Sequence, residues 1–180
     1  IEAHLSVLAL AVAAPPPVGR YAAVVSDAWF EERREDERRL AEHAKMLTDF
    51  VAKEALSASI KTEYSEQAWI DTAVGAHARY ADLTIIGPEM GLTADLKTPV
   101  LNGVLFEARR PVLIVPESGK ATLRPRTVLV AWNSKVEASR AVRESIRLLA
   151  DADVVHVTMV DPDTVSSGPE PGSGIAAYLA

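Results

Sequence analysis

The sequence predicts an α/β protein built on a doubly wound parallel sheet. Three observations carry that expectation. Several apolar runs have the length of a strand but lack the polar alternation of a half-exposed one. Amphipathic segments separate them, and the order strand, helix, strand, helix suits right-handed crossovers between parallel strands. Beyond a polar stretch at 117–125, "ESGKATLRP", the same order starts again.

Residues 3–12 are the first continuous apolar run, of the kind covered on both faces, and Pro15, Pro16 and Pro17 end it because proline supplies no ladder donor. From Ala28 to Ala55 the residues Leu40, Ala44, Leu47 and Val51 recur at helical spacing, which predicts a long amphipathic helix. Its "EERREDERR" segment interleaves acids with bases, Glu35 and Arg39 forming an i,i+4 pair, and reads as a solvated face rather than a nucleic-acid patch. Residues 56–64 read as a short strand. Residues 65–81 read as a helix with Ser65 as N-cap and Ala68, Ile70, Val74 and Ala78 toward the core. "DLTIIG" at 82–87 is a buried strand; an irregular stretch runs to Pro99, a short helix occupies Leu101 to Ala108, and "RPVLIVP" at 110–116 is the next strand. After the linker come a strand at 126–132, "RTVLVAW", and a helix at 134–150 with Val136, Ala141, Ile146 and Leu149 among its apolar residues. A strand at 152–162, a loop with Gly and Pro, and a further helix at "IAAYLA" follow. Trp29 and Trp69 fall on helices and are expected to pack.

Composition excludes several classes of function. Apolar residues make up 48% of the 180, enough for a packed core. The 19 basic residues are outnumbered by 25 acidic ones, so a formal charge of -6 gives no general attraction to nucleic acid or to an anionic membrane. The absence of cysteine removes disulfides, thiolate catalysis and Cys-ligated zinc, and it suits a reducing compartment, so a cytoplasmic protein is expected. The opening apolar stretch, Leu5 to Ala14, is about half of the ~20 residues needed to cross a bilayer and has no basic region before it, so it reads as a strand. The first residue is not Met, which leads us to expect native sequence before Ile1.

The four histidines, His4, His43, His77 and His156, form no i,i+4 pair and no HExxH, so no metal site is expected. No G-x-S-x-G is present, Ser134 lacks the flanking glycines of a nucleophile elbow, and no acid/base pair calls for chemistry; no catalytic residue is assigned. Asn133 or Ser134 is expected to cap the helix that follows. Asp82 and Asp161 read as turn residues, and Arg109 and Arg110 as the polar end of a helix.

The segments "YADLTIIG", "GVLFEARRPVLIVPE", "RTVLVAWNSKVEASRAVRESIRLLADADVVHVTMVDP" and "EPGSGIAAYLA" together resemble the universal stress protein family in its tandem, two-repeat form. The resemblance covers about half of the chain. It implies, for each repeat, a five-stranded parallel sheet of the adenine nucleotide alpha hydrolase-like type with strand order 3-2-1-4-5. It divides the chain into a first repeat at 1–116 that lacks its first strand and helix, a linker at 117–125, and the N-terminal part of a second repeat at 126–180. Since the lacking strand belongs in mid-sheet, either it precedes Ile1 or "RTVLVAW" folds back into the vacancy. Self-association is implied through the strand Pro111 to Val115 or between repeats.

Nucleotide-binding members of that family carry G-x2-G-x9-G-[ST] after the fourth strand, where glycines let backbone N–H groups approach phosphate oxygens and a hydroxyl adds one more bond. Here Gly87 is followed after three residues by Gly91 and after eleven more by Gly103, and Val104 stands in place of the hydroxyl. Pro88 removes a donor, Glu89 and Asp95 bring negative charge, and only Lys97 and Thr98 offset it. No cofactor is therefore expected in the first repeat. At the end of the second repeat's first strand, where the family commonly has an acid, stand Asn133 and Ser134, and ATP or another adenine nucleotide is left open for that repeat. The role implied is a cytoplasmic stress-response or regulatory protein that acts by association with a partner rather than by catalysis. The alternative is an ATP-binding, slowly hydrolysing member whose site is in the second repeat.

Overall fold

A computed structural model describes residues 3–16, 27–88, 94–117, 122–161 and 170–180. The chain divides into two compact units, 1–117 and 118–180, and the division falls inside the polar stretch "ESGKATLRP". Among the described residues no helix is long and apolar enough to cross a membrane.

The first unit opens with strand β1 (Leu5–Ala13) and the long helix α1 (Asp27–Lys53), which leads to strand β2 (Ala58–Glu66). β1 and β2 pair in parallel over their whole length, from Leu5 opposite Ala58 to Ala13 opposite Glu66. A crossover helix is what joins parallel neighbours, and α1 packs on both strands. Leu40 and Val51 of the predicted apolar stripe are buried, with Ala44 and Leu47 half-buried, while the opposite face carries a ladder of ion pairs: Glu31 with Arg34, Glu35 with Arg38 and Arg39, Arg38 with Glu42. The guanidinium groups of Arg38 and Arg39 hold the Glu35 carboxyl below its ordinary pKa of 4.5.

β2 is longer than predicted. Ser65 lies within the strand instead of capping a helix, because its residue pairs with Val12 of β1. A 3₁₀ turn (Gln67–Trp69) then leads into helix α2 (Ile70–Ala78), which has no side-chain cap at its start. Ile70, Val74 and Ala78 are buried as their spacing requires; Ala68 is exposed, since it precedes the helix, and Trp69 is 62% exposed instead of packed. Strand β3 (Thr84–Ile86) follows, then helix α3 (Ala94–Asn102), whose last turn opens into a five-residue π-helical turn (Gly103–Glu107) before strand β4 (Val112–Ile114). α3 begins well before the expected Leu101. Pro99 sits inside it and costs one backbone donor without ending it. β3 and β4 pair in parallel, Thr84 opposite Val112.

One cluster holds this unit together: Ile70, Val74 and Ala78 of α2, Ile86 of β3, Val100 of α3 and Val104, with Leu8 and Leu10 of β1 packed against it. α2 crosses the π-helical turn closely at two glycines. A Cβ on Gly103 would lie 2.5 Å from the Asp71 carbonyl oxygen, and one on Gly75 would lie 2.5 Å from the Glu107 Cβ. β1 is thus covered by α1 on one face and by this cluster on the other. β3 is not: Ile85 is 52% exposed, against the expectation of a strand buried on both faces.

The second unit comprises strand β5 (Thr127–Ala131), helices α4 (Val136–Glu144) and α5 (Ile146–Ala150), strand β6 (Val154–Thr158) and helix α6 (Ser173–Leu179). β5 and β6 pair in parallel, Thr127 opposite Val154 to Ala131 opposite Thr158. The expected helix at 134–150 is two helices, because the backbone leaves the helical region at Ser145. That break lets Val142 and Leu149 both face Val130 and Ile175 in the core, with Val128, Trp132, Val155, Val157 and Leu179 around them. Val136 lies on the exposed side. Alternate residues of each strand face this cluster and the others face outward, so Leu129 is 64% exposed where full burial was expected.

Candidate functional site

The carboxyl ends of the strands are where open parallel sheets bind ligands. In the first unit this end of β3 carries Gly87, half-buried, directly after Ile86, whose carbonyl accepts the backbone N–H of Val115 at 2.9 Å. Pro88 is half-buried. Gly91, with Glu89, lies outside the described residues. Lys97 and Thr98 are exposed on α3. Gly103 has a different neighbour from the one a phosphate loop requires, for its bare Cα faces the backbone of α2 at Asp71 and Gly75. Val104 beside it is 0% exposed, in one buried cluster with Ile70 and Val74. The third glycine and its neighbour are therefore a helix-crossing point, and a hydroxyl at 104 would point into the core.

In the second unit the equivalent end of β5 leads through Trp132, whose N–H donates to the Thr158 carbonyl at 2.8 Å, to Asn133 and Ser134, both exposed. Neither caps α4. Lys135 takes the cap position in extended backbone, and Asn133 Oδ1 instead accepts the Lys135 N–H at 3.1 Å, closing a side-chain turn. Ser134 holds φ at 61°, a conformation costly for a residue with a Cβ, which the Asn133 turn stabilises. The pair presents an amide and a hydroxyl to solvent, with hydrogen-bonding capacity and no charge of its own.

Other predicted positions have structural duties. Arg110 donates from Nη2 to the carbonyl of Arg79 at 2.8 Å, closing the end of α2. Asp161, at φ 47°, is a turn residue as expected. Among the described residues no group of three or more His, Asp or Glu side chains converges as metal ligands would.

Two clusters were not anticipated, because each is completed by a residue far away in sequence: Tyr64 for Trp29 and Arg33, and His4 for Ser57 and Ser59. At the carboxyl end of β1 and β2 the Arg33 guanidinium lies between the Trp29 and Tyr64 rings, 4.8 and 5.0 Å from their centroids, while Trp29 Nε1 donates to the Pro15 carbonyl at 3.1 Å. Burial, and then the charge of Asp36, raises the Tyr64 pKa above its ordinary 10.0. At the opposite end of the same strands, His4 Nδ1 is 2.9 Å from Ser57 Oγ and Nε2 is 3.1 Å from Ser59 Oγ. The one signal for these in the sequence is strand register, which neither motif nor spacing discloses. Compared with known proteins, the chain matches no family model, no curated protein and no solved structure.

Proposed function

We propose that the chain is a tandem universal stress protein in which the visible first repeat has lost the nucleotide loop, and that it acts as a stress-response or regulatory protein by association. One observation carries this reading: the parallel partners are β1 with β2, β3 with β4, and β5 with β6. In the strand order 3-2-1-4-5 these are strands two and three, four and five of the first repeat, and strands one and two of the second. The burial of Val104 and the packing of Gly103 against α2 support the loss of the phosphate contact. Half-exposed Ile114 on β4 supports self-association through the strand Pro111 to Val115.

A second reading rests on the exposed Asn133 and Ser134 at the end of β5, which suit the adenosine end of a nucleotide. In it the second repeat binds ATP. Titration of the chain with a fluorescent ATP analogue separates the two. The first reading expects no saturable binding at micromolar concentration; saturable binding abolished by Asn133→Ala establishes the second. A cytoplasmic location belongs to both readings.

A further inference from the structure

We propose that Ser57 is an activated nucleophile for acyl transfer, with His4 as its general base and Ser59 as a positioning residue. This does not rest on the nucleotide-fold reading and goes beyond it, since association requires no chemistry. The parallel register between β1 and β2 brings the three side chains together: Leu5 opposite Ala58 sets His4 beside Ser57, and the alternation of a strand puts Ser57 and Ser59 on one face, so the imidazole spans the two hydroxyls. The Leu5 N–H donates to the Ser57 carbonyl at 2.8 Å, which fixes the serine backbone against β1.

An activated serine needs a base within hydrogen-bond reach and a third group that orients the base. The 2.9 Å and 3.1 Å contacts meet both conditions. With the Nε2–H donated to Ser59 Oγ, the Nδ1 lone pair faces the Ser57 hydroxyl; Ser57 is the exposed serine of the two and Ser59 the half-buried one, which assigns attack to the first and orientation to the second. The His4 contacts to both serines are exposed at the amino end of the strands, within reach of a small activated ester from solvent.

In the step itself the Ser57 Oγ–C bond forms as the hydroxyl proton passes to His4 Nδ1. The tetrahedral intermediate collapses by breaking the bond to the leaving alcohol, which takes that proton. Water then cleaves the acyl-serine, releasing the carboxylic acid and restoring Ser57.

The test is to incubate the whole chain with p-nitrophenyl acetate, follow nitrophenolate release, and locate the acetyl group by peptide mass spectrometry. The proposal expects acetyl on Ser57, none in Ser57→Ala, and labelling of Ser57 slowed about 100-fold in His4→Gln. Ser59→Ala should slow it less and Ser59→Thr restore it, which a merely structural serine would not require. Acetyl confined to lysines or to His4, labelling of Ser57 no faster than of other exposed serines, or an unchanged rate in His4→Gln would each overturn it. The mass map of the unaltered protein decides the first two, so those outcomes do not depend on a variant's folding.

Discussion

Val104 illustrates how a residue read as a lost ligand contact acquires another role in the fold. Its side chain is fully enclosed by the α2 cluster. Replacement by Ser removes two methyl groups and leaves a hydroxyl in apolar surroundings, so Val104→Ser should lower stability by roughly 1–3 kcal/mol, read from the urea midpoint, and calorimetry should detect no gain of ATP binding. Tyr64 presents the complementary case of a polar group whose environment is legible only in three dimensions. Its raised pKa comes first from burial and then from Asp36. A phenol whose folded pKa exceeds the unfolded one stabilises the fold below the unfolded value and loses that contribution as pH rises through the folded value. Asp36→Asn should therefore bring the Tyr64 titration, followed by tyrosinate absorbance, down toward 10.0.

At the scale of elements, the crossing of α2 with the π-helical turn depends on two residues without a side chain. Since the nearest atom to a Cβ at Gly103 is a backbone oxygen at 2.5 Å, the helices must separate to admit it. Gly103→Ala should cost about 1–3 kcal/mol by chemical denaturation, and the loss should appear in the first unit. Helix α1 shows the opposite economy, in which exposed charges repeat and no single one matters much. The depressed Glu35 pKa means a contribution present above 4.5 and lost as pH falls through the lower, folded value. Acid titration followed by far-UV circular dichroism should show a small loss of helix in that range, and Glu35→Gln should flatten it.

For the molecule as a whole, the excess of 25 acidic over 19 basic residues sets the sign of the long-range field. Most of the arginines on α1 are also answered by a carboxylate one turn away, so the basic-looking "EERREDERR" segment does not form a cationic stripe. The chain should pass unretained through heparin at low salt; retention that weakens steeply with added salt would reveal a basic patch that these pairings deny.

By itself the sequence determined the alternation of strands and helices, the amphipathic face of α1 and the apolar residues of α2, because burial of a periodic face is a local property of the chain. It also marked Gly87, Gly103, Asn133 and Ser134 as positions to watch. Tertiary structure alone decided what Gly103 does, making it a helix contact through the approach of Asp71, while Asn133 bonded forward to Lys135 in a local turn instead of capping α4. It likewise decided that helix 134–150 breaks at Ser145 and that β3, β5 and β6 leave one face open, since a run of apolar residues states a capacity for burial but not which neighbours arrive to use it. The meeting of His4 with Ser57 and Ser59 has the same origin, in a strand register that only pairing at a distance can set.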